Sequence, residues 1–150
     1  MCFTPLKLRF LTLFSLIKQR LARKEKTVVF FSCIEEVKFF YKVFVDAHAL
    51  DLVKDEDDLD RILALHGDMP QERRKKVYTK FKEASDCVLL STDVTERGLH
   101  FKEVSWIIQY NPAPTIRGYS TFKSVSQKLI TWENKCWFEF EFNHMLYPCV

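Results

Sequence analysis

The 150-residue chain is 47% hydrophobic, which suits one domain with a substantial core, and its fourteen phenylalanines make that core aromatic-rich. A net charge of +3 selects no class of partner by itself. Five scattered cysteines without a C-x-x-C pair argue against a disulfide framework or a zinc site, and fit a reducing, intracellular compartment.

Leu6, Phe10, Leu13, Ile17 and Leu21 recur at helical spacing, with basic residues filling the other faces. The apolar run from Phe10 to Ile17 is too short to cross a membrane, and no small-residue cleavage site follows it. An amphipathic helix is predicted there, and no membrane partner. Thr27 to Ser32 (TVVFFS) is a continuous β-branched and aromatic run, the pattern of a strand buried on both faces. Val37, Phe40, Tyr41 and Phe44 return to the helical period, and residues 46–60 read as an exposed acidic loop. Arg61 to Leu65 predicts a second strand, broken by His66-Gly67. Asp68, with Gln71 three residues on, predicts a capping box with Pro70 in the first turn of a helix running through Val77 and Phe81. Cys87 to Ser91 and Val104 to Tyr110 predict two more strands, the last stopped by Asn111-Pro112. Cys33 and Cys87 sit in apolar runs and are expected in the core.

Charge is segregated along this framework. Lys18, Arg20, Arg23, Lys24 and Lys26 form one basic cluster and Arg73 to Lys76 another, with the acidic run Asp55 to Asp58 between them. That allows a basic face for an anionic polymer, and it equally describes solvated helix faces. Strands alternating with helices predict a parallel sheet covered on both sides, in which ligands bind beyond the carboxyl ends of the strands. The polar residues Ser32, His66-Gly67, Thr92-Asp93 and Asn111 fall at those ends.

After about residue 118 the character changes. Residues 1–119 read as a partial domain and residues 120–150 as a divergent, aromatic-rich tail, in which Phe138 to Phe142 alternates strictly and predicts an edge strand. Two readings of the tail stand: arbitrary sequence outside the fold, or a substitute strand and helix for the same sheet.

Taken in order, "VVFFSC" (28–33), "LHGDMPQERR" (65–74), "STDVTERGL" (91–99) and "WIIQYNPAP" (106–114) resemble the second RecA-like domain of a DEAD-box RNA helicase. They correspond to that family's motif IV, its HG-x-x-x-Q-x-x-R segment and motif V, and the resemblance covers residues 6 to about 119. "KLRFLTLFSLIK", the FFSC form of motif IV and the loop before "LHG" resemble the nucleolar, ribosome-assembly branch. The resemblance implies an α/β, RecA-like fold of the P-loop-NTPase type, with a parallel sheet flanked by helices and lacking its last elements. It implies RNA contacts at Ser32, Gly67, Arg74, Thr92 and Gly98, and nucleotide contacts at Gly98 and at the position of His100. ATP and magnesium would serve the full-length family, and the implied location is the nucleus, in particular the nucleolus, with the cytoplasm as the alternative.

Residue chemistry suits those roles. Gly67 and Gly98 let the backbone approach a phosphate or sugar. The helix start at Asp68 to Gln71 presents free N–H groups to an anion, although Asp68 itself would oppose one. Arg74 can fork onto a phosphate, and Thr92 offers a hydroxyl. Contacts of this kind fix register without reading sequence, and binding is salt-dependent. Other readings remain open: His66 as a hydrogen-bonded strand-end residue, Gln71 as a cap, Asp93 and Arg97 as a structural ion pair, and Arg73 with its following lysines as a solvated face.

Phosphoryl transfer needs a phosphate cradle, a magnesium carboxylate and positive charge on the γ-phosphate. No G-x-x-x-x-G-K-[ST] and no D-E-A-D occurs in the sequence, so the first RecA-like domain is missing from it and no catalytic residue and no metal ligand is assigned. His100 stands where motif V carries the ribose-holding aspartate, and an imidazole lacks the carboxylate's charged acceptor pair. After Tyr119 the family's H-R-x-G-R-x-x-R is replaced by Ser120-Thr121-Phe122-Lys123, the pattern of a truncated or mis-spliced product or of read-through. The expectation is a helicase fragment without ATP hydrolysis, retaining RNA-backbone binding at most. The alternative is a non-catalytic module that binds RNA or protein and competes with a full-length helicase.

Overall fold

A strand whose every side chain is apolar needs cover on both faces, and the chain supplies it by placing helices on either side of one sheet. The computed structural model describes residues 2–3, 8–49, 60–92, 104–111, 126–133 and 136–141. In chain order the elements are β1 (Cys2–Phe3), α1 (Arg9–Ala22), β2 (Thr27–Phe31), α2 (Ile34–Ala49), β3 (Ile62–Leu65), α3 (Gln71–Glu83), β4 (Val88–Thr92), β5 (Val104–Gln109), β6 (Ser126–Glu133) and β7 (Cys136–Glu141). The sheet order is β1-β7-β6-β5-β2-β4-β3. From β6 to β3 all neighbours are parallel, whereas β7 pairs antiparallel with β6 and with β1.

Side-chain alternation sorts the core into two layers. Val29, Phe31, Val88, Leu90, Trp106 and Ile108 point to one face, where Leu13, Ile17 and Leu21 of α1 and Val37, Phe40 and Phe44 of α2 cover them. Val28, Phe30, Leu63, Leu89 and Ile107 point to the other face, covered by Phe81 and Val77 of α3. Aromatic stacking binds the first layer, with Phe31 4.7 Å from Phe40 and Phe14 5.1 Å from Phe44 between ring centroids.

Three expectations are corrected. The helix after β2 continues to Ala49, into the segment read as a loop from residue 46; residues 50–59 lie outside the described residues. Arg20 and Lys26 do not belong to an exposed basic cluster, being only 4% and 3% exposed. The Arg20 guanidinium lies 3.7 Å from the Trp106 ring centre and donates to Glu25 at 2.9 Å, and the Lys26 ammonium donates to the Lys82 carbonyl over the Phe81 ring. Each cation is buried because an aromatic face and an oxygen replace its water. Cys33 is half-buried at the end of β2 rather than in the core, whereas Cys87 is buried and burial pushes its thiol up to about 11.

The tail strand predicted for residues 138–142 begins earlier, at Cys136, and pairs through Phe140 with Leu129 of β6. Beyond Trp137 its outer side meets no further strand among the described residues. Among those residues no helix is long and apolar enough to cross a membrane.

The layering makes a direct prediction about α1 and β4. Leu90, fully buried, should cost roughly 2–5 kcal/mol of stability when replaced by alanine, whereas Leu11, 54% exposed on α1, should cost less than about 0.5 kcal/mol. Urea unfolding of L90A and L11A measures both, and equal midpoint shifts would contradict the assigned faces.

Candidate nucleic-acid interface

The register of the parallel ladder decides which polar groups meet. Phe31 lies beside Thr92, and Phe30 lies beside Ser91 on one flank and Gln109 on the other. The carboxyl ends of β2, β3, β4 and β5 therefore collect along one edge of the sheet, where α/β sheets bind ligands. Ser91 is wholly buried and its hydroxyl donates to the Leu65 carbonyl at 3.0 Å, holding the end of β4 against the end of β3.

At the end of β2 the chain turns into α2, and Ser32 is exposed there. Glu36, in the first turn of α2, accepts from the Ser32 hydroxyl at 2.8 Å and from the Ser32 backbone N–H at 3.1 Å through the same oxygen. Its other oxygen accepts from the Asn111 amide at 3.3 Å, across from the end of β5. Next to Asn111, the Tyr110 ring carries the Arg9 guanidinium 3.9 Å from its centre. Burial lowers the pKa of Arg9, with Tyr110 and Glu36 acting in the opposite direction.

At the end of β3 the loop His66 to Pro70 leads into α3. The helix starts at Gln71, after a Pro70 whose ψ of 142° is extended, and no side chain caps it. The predicted capping box is therefore not formed: the Asp68 carboxylate instead takes the Lys38 ammonium of α2 at 2.7 Å. A charged partner competes well against a neutral N–H for a carboxylate. Hydrogen bonding to Lys38 lowers the pKa of Asp68, and the reciprocal contact raises that of Lys38. Burial, then the Lys38 charge, lowers the pKa of His66, whose Nδ1 has no hydrogen-bond partner among the described residues. A cavity of about 390 Å³ opens beside β3, lined among others by Lys38, Tyr41, His66, Asp68 and Arg73.

Of the residues expected to touch RNA, Ser32 and Gly67 are exposed on this edge, and Arg74 is half-buried with its guanidinium donating to the Gln71 side chain at 3.4 Å. Thr92 is buried at the end of β4. Gly98 and His100 lie outside the described residues, as do Asp93 and Arg97. A Cβ built on Gly67 would meet Ile34 Cδ1 at 3.7 Å, an ordinary contact, so packing among the described residues does not require a glycine there. Sequence reasoning missed Glu36 and Arg9. For Glu36 the signal was a serine followed four residues later by a carboxylate at a helix start, a near-relative of the capping box; for Arg9 there was none. Among the described residues no group of three or more His, Cys, Asp or Glu could hold a metal ion.

The family profile described as "Helicase conserved C-terminal domain" matches residues 9–127. Human "ATP-dependent RNA helicase DDX18" is 37% identical over 115 residues, covering 77% of this chain and 15% of the relative. Human "ATP-dependent DNA helicase DDX31" is 40% identical over 116 residues, covering 71% and 14%. Among solved structures, "Mss116p DEAD-box helicase domain 2 bound to an RNA duplex" superposes with a TM-score of 0.60 at 23% identity, over 76% of this chain and 42% of that one. The S. cerevisiae protein Dbp5, bound to RNA and ADP BeF3, gives 0.60 at 20% identity over 79% and 28%. The chain thus spans 14–15% of the two curated relatives named.

The electrostatics of the β3 loop can be read by NMR. His66 should titrate below the ordinary 6.5 of a histidine, moving up when Lys38 is replaced by Met and further down when Asp68 is replaced by Asn. Because the folded chain disfavours the imidazolium, His66 should cost stability as pH falls through about 6.5. A midpoint above 6.5 would mean that the Asp68 carboxylate dominates the loop.

Proposed function

This chain belongs to the helicase conserved C-terminal domain family, as the second RecA-like domain of the DEAD-box RNA helicases, and from that premise we propose that it binds the sugar-phosphate backbone of RNA along the carboxyl edge of its sheet. The observation that supports the reading is the placement of Ser32 after β2 and Gly67 after β3, the two strands that flank β4, on one edge of the sheet, with Arg74 in the first turn of α3, in the order and spacing of the family's motifs. Two of the three are exposed there, and the glycine is not imposed by its described neighbours. Thr92 and Gly98 complete the proposed set, with Thr92 contributing from a buried position.

In this reading, the phosphate loop, the magnesium carboxylate and the finger arginines come from outside these 150 residues, in the first RecA-like domain and beyond. ATP and magnesium belong to that complete assembly, where bound magnesium-ATP would supply the phosphoryl-transfer chemistry. Gly98 and His100 are the proposed nucleotide-facing positions of this chain, and the imidazole of His100 makes them weak ones. The 150 residues alone bind RNA and do not turn over ATP. Work in ribosome assembly, in the nucleolus, is the proposed setting, supported by the form of the FFSC motif. A chain with RNA contacts and no turnover would also compete with a complete helicase for RNA.

Fluorescence anisotropy with single-stranded RNA tests the reading. Arg74→Ala should weaken binding about tenfold or more at low salt, for every RNA sequence alike, and should flatten the salt dependence by about 0.7 in log–log slope. Gly67→Ala should fold with stability within about 1 kcal/mol of the parent, yet bind RNA more weakly. Equal affinity in both variants would overturn the assigned edge. Single-stranded DNA of the same sequence measures how far the site depends on the 2′-hydroxyl.

A further inference from the structure

Glu36 ties together polar groups that follow two neighbouring strands, β2 and β5. Three donors converge on its carboxylate: the Ser32 backbone N–H and hydroxyl at 3.1 and 2.8 Å, and the Asn111 amide at 3.3 Å. The Ser32 part is local and doubles as a helix-start device. The Asn111 part is not local, because it joins the ends of β2 and β5 across 75 residues of chain. Arg9, on the Tyr110 ring, adds a cation whose charge interacts with that carboxylate. An N–H, a hydroxyl, a side-chain amide and a guanidinium around one small anion make the donor set of a phosphate receptor.

We propose that Ser32, Asn111 and Arg9 form a receptor for an RNA backbone phosphate, and that Glu36 occupies this receptor in the free chain and competes with the phosphate for it. The proposal rests on the RNA-binding reading given above and adds the residue that opposes it. Two anions cannot share three donors at this distance, so a phosphate enters only as the carboxylate leaves. Glu36 therefore lowers the affinity of the site and preserves its shape until RNA arrives.

The test compares the parent chain with Glu36→Gln, Glu36→Ala and Arg74→Ala, using two probes: single-stranded RNA and inorganic phosphate. Circular dichroism melting establishes that each variant folds, and the glutamine and alanine replacements back each other up. Glu36→Gln should bind RNA roughly tenfold more tightly at low salt, since one like charge is removed from beside the phosphate. It should also gain a saturable rise in Tm with inorganic phosphate that chloride at equal ionic strength does not reproduce, and the parent should show no such rise. If Arg74→Ala weakens RNA binding while the Glu36 variants bind equally or less tightly than the parent, the RNA reading stands and the competition is overturned, leaving Glu36 as a strut. If RNA binding is missing or indifferent to Arg74, the RNA reading fails, and the phosphate melts decide the receptor by themselves. A saturable gain in the variants then supports it, and no gain overturns it.

Discussion

Everything at the candidate interface hangs on β2. It lies between β4 and β5, paired to β4 through Thr27–Phe31 and to β5 through Thr27–Phe30, and all five of its residues are buried. A parallel ladder in that register brings Ser32 one step past Phe31 and so next to Thr92, with Asn111 just beyond Gln109. Slipping it by one residue would turn Val29 and Phe31 toward α3, and Val28 and Phe30 toward α1 and α2. Both layers of the core would then be lost together, so the register is held by two-sided burial. The polar edge inherits its geometry from apolar packing some distance away.

That packing admits charge where charge is well compensated. Arg20 and Lys26 lie within the protein, and each is held by an aromatic face together with an oxygen acceptor. Arg61 serves the same end at the opposite edge from the interface: its guanidinium donates to the Leu21 carbonyl at the end of α1 and pairs with Asp86 at 2.9 Å, just before β4. These cations tie helix ends to strand starts, on the amino side of the sheet. Those that remain exposed, Arg73, Lys75 and Lys76 on α3, flank the carboxyl side. A count of basic residues along the sequence cannot separate the two populations, because what distinguishes them is a tryptophan or phenylalanine far away in the chain.

The same distinction explains how much could be read beforehand. Strands β2 to β5 and the helices α1 and α3 were legible because their signals are local: unbroken apolar runs, and a period of three to four residues. The placement of Ser32, Gly67 and Thr92 at strand ends followed from the run boundaries alone. The Asp68 cap failed because its competitor, Lys38, belongs to another helix thirty positions away and offers a full charge. The length of α2 was misjudged for a related reason. Its last turn, through His48 and Ala49, lacks the apolar periodicity in sequence by which a helix is read. The pairing of β6 with β5 was one of two open readings, since nothing in residues 126–133 names a partner.

Glu36 illustrates the limit most clearly. In the sequence it is one of two adjacent glutamates in the first turn of a helix, where acidic residues are common because they complement the helix dipole. Glu35 and Glu36 are indistinguishable by that rule. The fold separates them, since the turn out of β2 directs Glu36 toward Asn111 just past the end of β5, whereas Glu35 is exposed. Donors that converge on one point, with a guanidinium beside them, carry a cost when no anion lies among them. The Glu36 carboxylate removes that cost by accepting from all three donors. In the proposed competition, stability of the empty edge and affinity for a phosphate are opposed at a single side chain, and the strength of the three hydrogen bonds to Glu36 sets the balance between them.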